Sequence, residues 1–264
     1  MFVAQEASPA APGKAGQGIK SAAAGPFKRD DAPSFLTRVK NDIADIFADP
    51  APGIFIEPDE NDVSRIHALV VGPSGTPYEG GFFEFLIKCP PEYPYQPPTV
   101  KFLTTGCGKV RFNPNLNKSG SICLNILGTG WSPAQCLASV LISIQSLLNE
   151  DPIYNEPGIR KGQMVDLASS YNAVVEYQTI RVAVCDNVEA CLEGTSSLPS
   201  TLRDVAVKKF SEFYEHYEAV LKPKLHLSGN KMDEWYYNHT GTFEYAELLT
   251  RLKNLKQKVE NLQD

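Results

Sequence analysis

Asn113-Pro114-Asn115-Leu116-Asn117-Lys118-Ser119-Gly120-Ser121-Ile122-Cys123-Leu124-Asn125-Ile126-Leu127-Gly128-Thr129-Gly130-Trp131-Ser132-Pro133-Ala134 is the stretch on which the reading of this chain turns. Up to Gly130 it follows neither the two-residue period of a strand nor the 3.6-residue period of a helix, and the aperiodic run reaches back to Thr104. A loop of this length inside a compact domain is uncommon and tends to carry function. It stops at Trp131, where Ser132-Pro133-Ala134-Gln135 has the form of a helix start, with Ser as N-cap, Pro at the first position and Gln at the third. The helix expected from there carries a core stripe of Leu137, Val140, Leu141, Ile144 and Leu148 and ends before Asp151-Pro152.

Upstream of the loop the period is that of strands. Ile54 to Glu57, Arg65 to Val71, Phe82 to Lys88 and Val100 to Leu103 are joined by short Gly- and Pro-bearing connections, which predicts a four-stranded antiparallel meander. The link Tyr93-Pro94-Tyr95-Gln96-Pro97-Pro98 is too rich in proline to join a ladder, and its Tyr93-Pro94 bond is a candidate cis peptide. Before the meander, Ser34 reads as an N-cap for an amphipathic helix with Phe35, Leu36, Val39, Ile43, Ile46 and Phe47 on one side, ending at Pro50. Arg38, Lys40, Asp42 and Asp45 make its other side, expected to be solvated. Residues 1 to 33, rich in Ala, Gly, Pro and Ser, read as a flexible tail because they bring too little apolar surface to offset ordering entropy.

Downstream, a helix is expected from about Ser170 to Leu192, with Gly194 as its stop, and two more over 200 to 222 and 243 to 262. The chain thus divides into a tail (1–33), an α+β core (34–192) and a helical C-terminal extension (193–264).

The charge balance is 25 Lys and Arg against 31 Asp and Glu, a net −6 with no dense basic block, which argues against a duplex nucleic-acid binder. No apolar run approaches the length of a membrane span, and the six cysteines contain no C-x-x-C pair, so neither a membrane protein, a zinc site nor a disulfide scaffold is indicated. The expected setting is the reducing cytoplasm or nucleus. For Cys89, Cys107, Cys136, Cys185 and Cys191 the ordinary reading, a small buried hydrophobe, stands.

The spacing of Tyr78-Glu79-Gly80-Gly81-Phe82-Phe83, Tyr93-Pro94-x-x-Pro97-Pro98, Asn113-Pro114-Asn115, Cys123 and Trp131-Ser132-Pro133-Ala134 resembles the ubiquitin-conjugating enzymes over roughly residues 34 to 192. Within that family the chain is most similar to the Z type, on Ser143-Ile144-Gln145-Ser146-Leu147, Asn155-Glu156-Pro157-Gly158 and Thr179 to Asp186, with a low-complexity tail and helical extension. The resemblance implies two successive acyl transfers, in which a cysteine takes the modifier's C-terminal carboxyl as a thioester from an activating enzyme and a substrate lysine then attacks it.

By position Cys123 is that cysteine. Asn115 matches the family's asparagine, either as an oxyanion donor or as the pin of the loop, two roles that remain open. Asn113 stands where the motif has histidine, which puts the rigidity of the loop in question. Asn125 and Asn155 match a polar gate for the incoming lysine, with ordinary turn asparagines as the alternative. Tyr95, Ser132, Pro133 and Ala134 fall on the implied surface for the activating enzyme and ligases, and Tyr95 has packing onto the sheet as its alternative.

Ile142 is different, since helix geometry turns it away from the core stripe beside small polar residues, and the resemblance implies that this face holds the thioester-linked ubiquitin. The expected partners are ubiquitin or a tandem ubiquitin-like modifier, the alternative type of activating enzyme, ligases and protein substrates, with no metal and no small-molecule cofactor. Two other readings are a catalytically silent ubiquitin-binding scaffold and a cysteine hydrolase, the latter weakened because His67, His216, His226 and His239 all lie far from Cys123 in sequence.

Overall fold

A computed structural model of the 264-residue chain describes residues 32–162, 164–232 and 241–262, with only the backbone of 32–34. Nearly all of the expected tail, along with His239, lies outside the described residues.

The architecture is α+β. Helix α1 (Ala32–Ala48) leads into a sheet of β1 (Ile54–Pro58), β2 (Arg65–Val71), β3 (Phe82–Lys88) and β4 (Thr99–Phe102), paired antiparallel in chain order. The helix begins two residues ahead of Ser34, so Ser34 is not its N-cap. In the register Ile66 faces Ile87, Ala68 faces Phe85 and Val70 faces Phe83, and these residues turn one face of the sheet toward α1 and α2 (Leu137–Leu147). That face and the stripe Leu137, Val140, Leu141, Ile144 and Leu148 make the first core. The Tyr93-Pro94 bond is cis.

The opposite face is not left to water. Leu69, Val71 and Phe82 point away from the first core and join a second one built from Val174, Tyr177, Ile180, Val184 and Val188 with the extension helices α5 (Ser200–Leu221) and α6 (Tyr245–Glu260). Strand β2 is therefore buried on both sides along most of its length, which is why Leu69 and Val71 are apolar where a one-sided sheet would show polar residues.

The expected helix 170–192 is longer and irregular. It runs as α3 (Val165–Gln178), a π-helical segment (Thr179–Asp186) and α4 (Asn187–Glu193), and stops at Gly194 with φ of 72°. A glycine suits that left-handed position because any Cβ there would be strained.

The two cores are bolted together at the β2–β3 loop. Tyr217 of α5, fully buried, donates its hydroxyl to the carbonyl of Gly80 at 2.7 Å. Gly80 has φ of 73°, and a Cβ on it would come within 2.8 Å of the Tyr217 ring, so glycine is required for both conformation and closeness. Replacing Tyr217 with Phe keeps the ring but leaves a buried carbonyl without its donor. The expected result is a loss of about 1–2 kcal/mol in urea-unfolding free energy, and an unchanged midpoint would show that this bond does not hold the extension to the sheet.

Candidate active site

The long loop is organised by a buried amide. Asn113 is 0% exposed, and its Nδ2 donates to the Leu147 carbonyl at 2.8 Å and to the Tyr78 hydroxyl at 3.0 Å. Its Oδ1 accepts from the Asn115 amide N–H at 2.9 Å and from Asn155 Nδ2 at 3.4 Å. Tyr78 in turn donates to the Phe112 carbonyl at 2.6 Å. An amide supplies two donors and an acceptor at one point, as a histidine ring does with one donor and one acceptor, so the loop is pinned despite the departure at Asn113. Arg111 adds a second clamp, its Nη2 reaching the Pro114 carbonyl at 2.5 Å.

Asn115 carries this rigidity to Cys123. Its carbonyl accepts from the Cys123 N–H at 2.9 Å, and its Nδ2 donates to the Cys123 carbonyl at 2.7 Å. The two residues are therefore locked backbone to backbone and side chain to backbone, while the Cys123 side chain belongs to an exposed residue. One N–H of the Asn115 amide is spent on that carbonyl, which leaves the second N–H of the same nitrogen for another acceptor. Its Oδ1 is buried without a protein partner.

The other expected site residues divide. Asn125 opens a short 3₁₀ turn (Asn125–Leu127) two residues past Cys123; it is exposed, and its Oδ1 accepts from Thr129 Oγ1 at 2.9 Å. Asn155 closes another (Pro152–Asn155), and its amide is engaged inward at both ends, with Nδ2 on the Leu147 carbonyl at 3.1 Å and Oδ1 taking Asn149 Nδ2 at 2.9 Å. It joins the Asn113 network.

Tyr95 is 71% exposed at the tip of the proline loop, so it does not pack onto the sheet. Ser132, Pro133 and Ala134 are exposed beside it, and Trp131 ties the two segments through Nε1 to the Pro94 carbonyl at 2.8 Å. Ile142 is 51% exposed on the free side of α2.

Three expectations change in this region, the start of α2, the polar side of α1 and the burial of Cys107. Helix α2 starts not at Ser132 but at Leu137, capped by Cys136 in a capping box with Ser139. Ser132–Gln135 is a turn, closed by Gln135 N–H to the Ser132 carbonyl at 2.9 Å, and the carbonyls of Pro133 and Gln135 accept from Arg38 at 3.2 and 2.6 Å. Arg38 thereby holds this turn against α1.

The polar side of α1 is likewise not merely solvated. Asp42 is 3% exposed, and its carboxylate takes Arg38 Nε at 2.7 Å, the Leu137 N–H at 3.1 Å and the Tyr93 hydroxyl. Burial and that carboxylate push the Tyr93 hydroxyl far above its ordinary range. The only local hint of this knot was an Arg and an Asp four residues apart on a helix whose apolar stripe runs through Val39 and Ile43.

The three described histidines sit elsewhere in the fold. His67 lies mid-β2 opposite Glu57 and Leu86, held below its usual range by burial; His216 is on α5 with Nδ1 3.7 Å from Glu79 Oε1, and His226 is in the turn after α5. Among the described residues no group of His, Cys, Asp or Glu is arranged to hold a metal, and no helix is long and apolar enough to cross a membrane.

The cysteines separate by exposure. Burial pushes Cys89 and Cys185 up to about 12 and Cys191 up to about 11. Cys107, expected to be buried, is exposed in a turn with φ of 57°, and Cys136 is half-buried as the α2 cap. A raised thiol pKa lowers the thiolate fraction at pH 8 to about 10⁻⁴ for the first two and about 10⁻³ for Cys191. A small alkylating reagent at pH 8 should therefore modify Cys123 and Cys107 in the folded protein while sparing Cys89, Cys185 and Cys191, as read by peptide mass spectrometry. Alkylation of Cys185 at the rate of Cys123 would contradict this.

A core of helix, antiparallel meander and clamped cysteine loop defines a class. The ubiquitin-conjugating enzyme family model matches residues 38–179, more than half of the chain, and the chain belongs to that family of transferases. It is 50% identical over 228 residues to the ubiquitin-conjugating enzyme E2 Z of Xenopus tropicalis, covering 85% of this chain and 72% of that protein. It is 49% identical over 232 residues to the E2 Z of Homo sapiens, covering 86% of this chain and 64% of that protein. The ubiquitin-conjugating enzyme E2 N of Macaca fascicularis is 42% identical over 123 residues, 45% of this chain and 78% of that one. A solved ubiquitin-conjugating E2 domain from Toxoplasma gondii covers 56% of this chain and 97% of its own at 35% identity, with a TM-score of 0.46.

Proposed function

We propose that the chain accepts ubiquitin or a ubiquitin-like modifier as a thioester on Cys123 from an activating enzyme and passes it to a substrate lysine, with or through a ligase. The observation that carries this reading is the exposed Cys123 held on a loop whose backbone is clamped by Asn115 at 2.9 and 2.7 Å. In the first step the Cys123 thiolate attacks the modifier's thioester carbonyl, a new C–S bond forms and the activating enzyme's thiolate leaves. In the second, a lysine amine attacks the same carbon, the oxyanion collapses, a C–N bond forms, Cys123 leaves as thiolate and the amine's extra proton passes to solvent.

Residues 34–192 are read as the catalytic core and 193–264 as an extension without chemistry of its own. Asn115 is assigned as the donor to the oxyanion, through the N–H not used on Cys123; Asn125 as the polar group beside the entering amine; Asn155 as a residue that positions the loop through Asn113. Tyr95 with Ser132–Ala134 is the surface for activating enzyme and ligase, and Ile142 the contact for the bound modifier. The names of the E2 Z relatives support the Z type; the alternative activating enzyme and a tandem ubiquitin-like modifier are the partners that the resemblance to that type implies. The six free cysteines fit a reducing compartment, cytoplasm or nucleus.

Incubation with activating enzyme, ATP and ubiquitin should give a reductant-sensitive adduct on the wild type. Cys123→Ser should give a reductant-resistant one, because an alkoxide is a poorer leaving group than a thiolate. A scaffold gives neither adduct, and normal charging of Cys123→Ala removes the nucleophile assignment.

Asn115→Ala is expected to slow lysine discharge by about 10²-fold while slowing charging much less, since oxyanion donors matter most where the weaker amine chemistry must be assisted. Equal discharge from pre-charged wild type and variant would leave Asn115 as a loop pin alone.

Ile142→Asp, shown to be folded by an unchanged thermal transition, should charge normally and discharge about tenfold more slowly, because a charge would be desolvated against an apolar partner patch. Discharge at the wild-type rate would mean that Ile142 is an ordinary surface residue.

A further inference from the structure

Helix α2 turns one stripe away from the core, and a groove of about 740 Å³ lies along it. Ile142, Gln145, Ser146 and Asn149 recur at the three- and four-residue spacing of a single helical face, and all of them line the groove. The opposite wall comes from the C-terminal extension, through Lys209 and Phe213, one turn apart on α5. The turn before β1 and the start of the β2–β3 loop make the floor. That floor is fixed, with the Val71 N–H on the Gly53 carbonyl at 2.8 Å and Gln145 Nε2 on the Pro52 carbonyl at 2.8 Å.

The groove is open to a large occupant. Ile142 is 51% exposed, Ser146 is exposed and Phe213 is half-buried. The Phe213 ring does not swing freely, since it stacks on Tyr217 at 6.3 Å between centroids and packs on Gly80, where a Cβ would come within 3.0 Å of it. A fixed, half-open aromatic anchors a partner at small entropic cost. The lining residues include no carboxylate, and their one ammonium, on Lys209, is paired with Glu212 at 2.5 Å. Such a nearly neutral, largely apolar groove suits an apolar protein patch and not an ionic ligand.

Its far end reaches the active-site loop. Asn149 donates Nδ2 to Asn155 Oδ1 at 2.9 Å, and Asn155 donates to Asn113, which pins Asn115 beside Cys123. A domain tethered at Cys123 therefore meets the groove at an effective concentration on the order of millimolar, an advantage that no untethered protein shares. Ile142 alone cannot hold such a domain, because a specific protein contact covers about 800 Å² on each partner. The apolar surface that continues from Ile142 is this groove. We propose that the thioester-linked modifier lies across α2 into the groove, so that Phe213 of the extension, with Lys209 at the rim, is a specificity-determining contact alongside Ile142. This rests on the assignment of Cys123 and Ile142 above, and it gives the extension a part in orienting the modifier for lysine attack.

The Cys123→Ser oxyester with ubiquitin and the free Cys123→Ser chain can be treated with an amine-acetylating reagent and read by peptide mass spectrometry. Acetylation of Lys209 should fall about threefold or more in the conjugate, because an amine under an interface meets the reagent only when the interface opens. Lys258 of α6, outside the groove lining, should keep its rate. Phe213→Asp, checked for an unchanged thermal transition, should slow lysine discharge from pre-charged enzyme about fivefold, through a charge desolvated against the partner. Combined with Ile142→Asp it should cost much less than the product of the two single effects, since both contacts fail with the same docked state. Should Phe213→Asp not fold, the Lys209 labelling decides alone. Equal acetylation of Lys209 in conjugate and free chain, or a folded Phe213→Asp that discharges at the wild-type rate while Ile142→Asp is slow, overturns the groove and leaves the Cys123 reading intact. If no adduct forms at position 123, the thioester reading fails and this inference with it.

Discussion

The last turn of an α-helix leaves carbonyls with no partner in the helix, and one of these, on Leu147, locates the loop that carries Cys123. Asn113 and Asn155 both donate to it, at 2.8 and 3.1 Å. Because Asn113 is wholly buried, each polar atom of its amide has to be met, and every partner it takes belongs to a different part of the chain. Tyr78 comes from the β2–β3 loop, Leu147 from the end of α2, Asn155 from the turn beyond, and Asn115 from the loop itself. Remove that amide and Asn115 loses the bond that orients its backbone toward Cys123.

The other end of α2 is held in the same way. Its orphan N–H at Leu137 is met by the buried carboxylate of Asp42, where the positive end of the helix dipole also favours a negative charge. The same carboxylate draws in Arg38 and Tyr93, so α1, the proline loop and the Ser132–Gln135 turn are set with respect to α2 by one group. Helix α2 is thereby a strut between the edge that carries Tyr95 and the loop that carries Cys123. Ile142 stands on its free side.

The extension is part of this frame. By covering Leu69, Val71 and Phe82 it turns a one-sided sheet into a two-sided one, and Tyr217 reaches Gly80, two residues from the Tyr78 that holds Asn113. Helices α5 and α6 thus bear on the loop at Cys123 through packing.

Sequence periodicity alone determined the four strands, the core stripe of α2, the stop at Gly194 and the irregular loop with Cys123, because each is a matter of neighbours within one element. The tertiary structure alone decided that Asp42 is buried, that α2 begins at Leu137, that Cys107 is exposed and that both ends of the Asn155 amide face inward. The partners responsible lie far along the chain: Tyr93 is 51 residues from Asp42, and Leu137 is 95. An amphipathic pattern reports which face of a helix is apolar. It carries no record of a carboxylate on the other face that a distant hydroxyl and a helix end have come to share, since hydrogen bonds follow geometry, which exists only once the chain has folded.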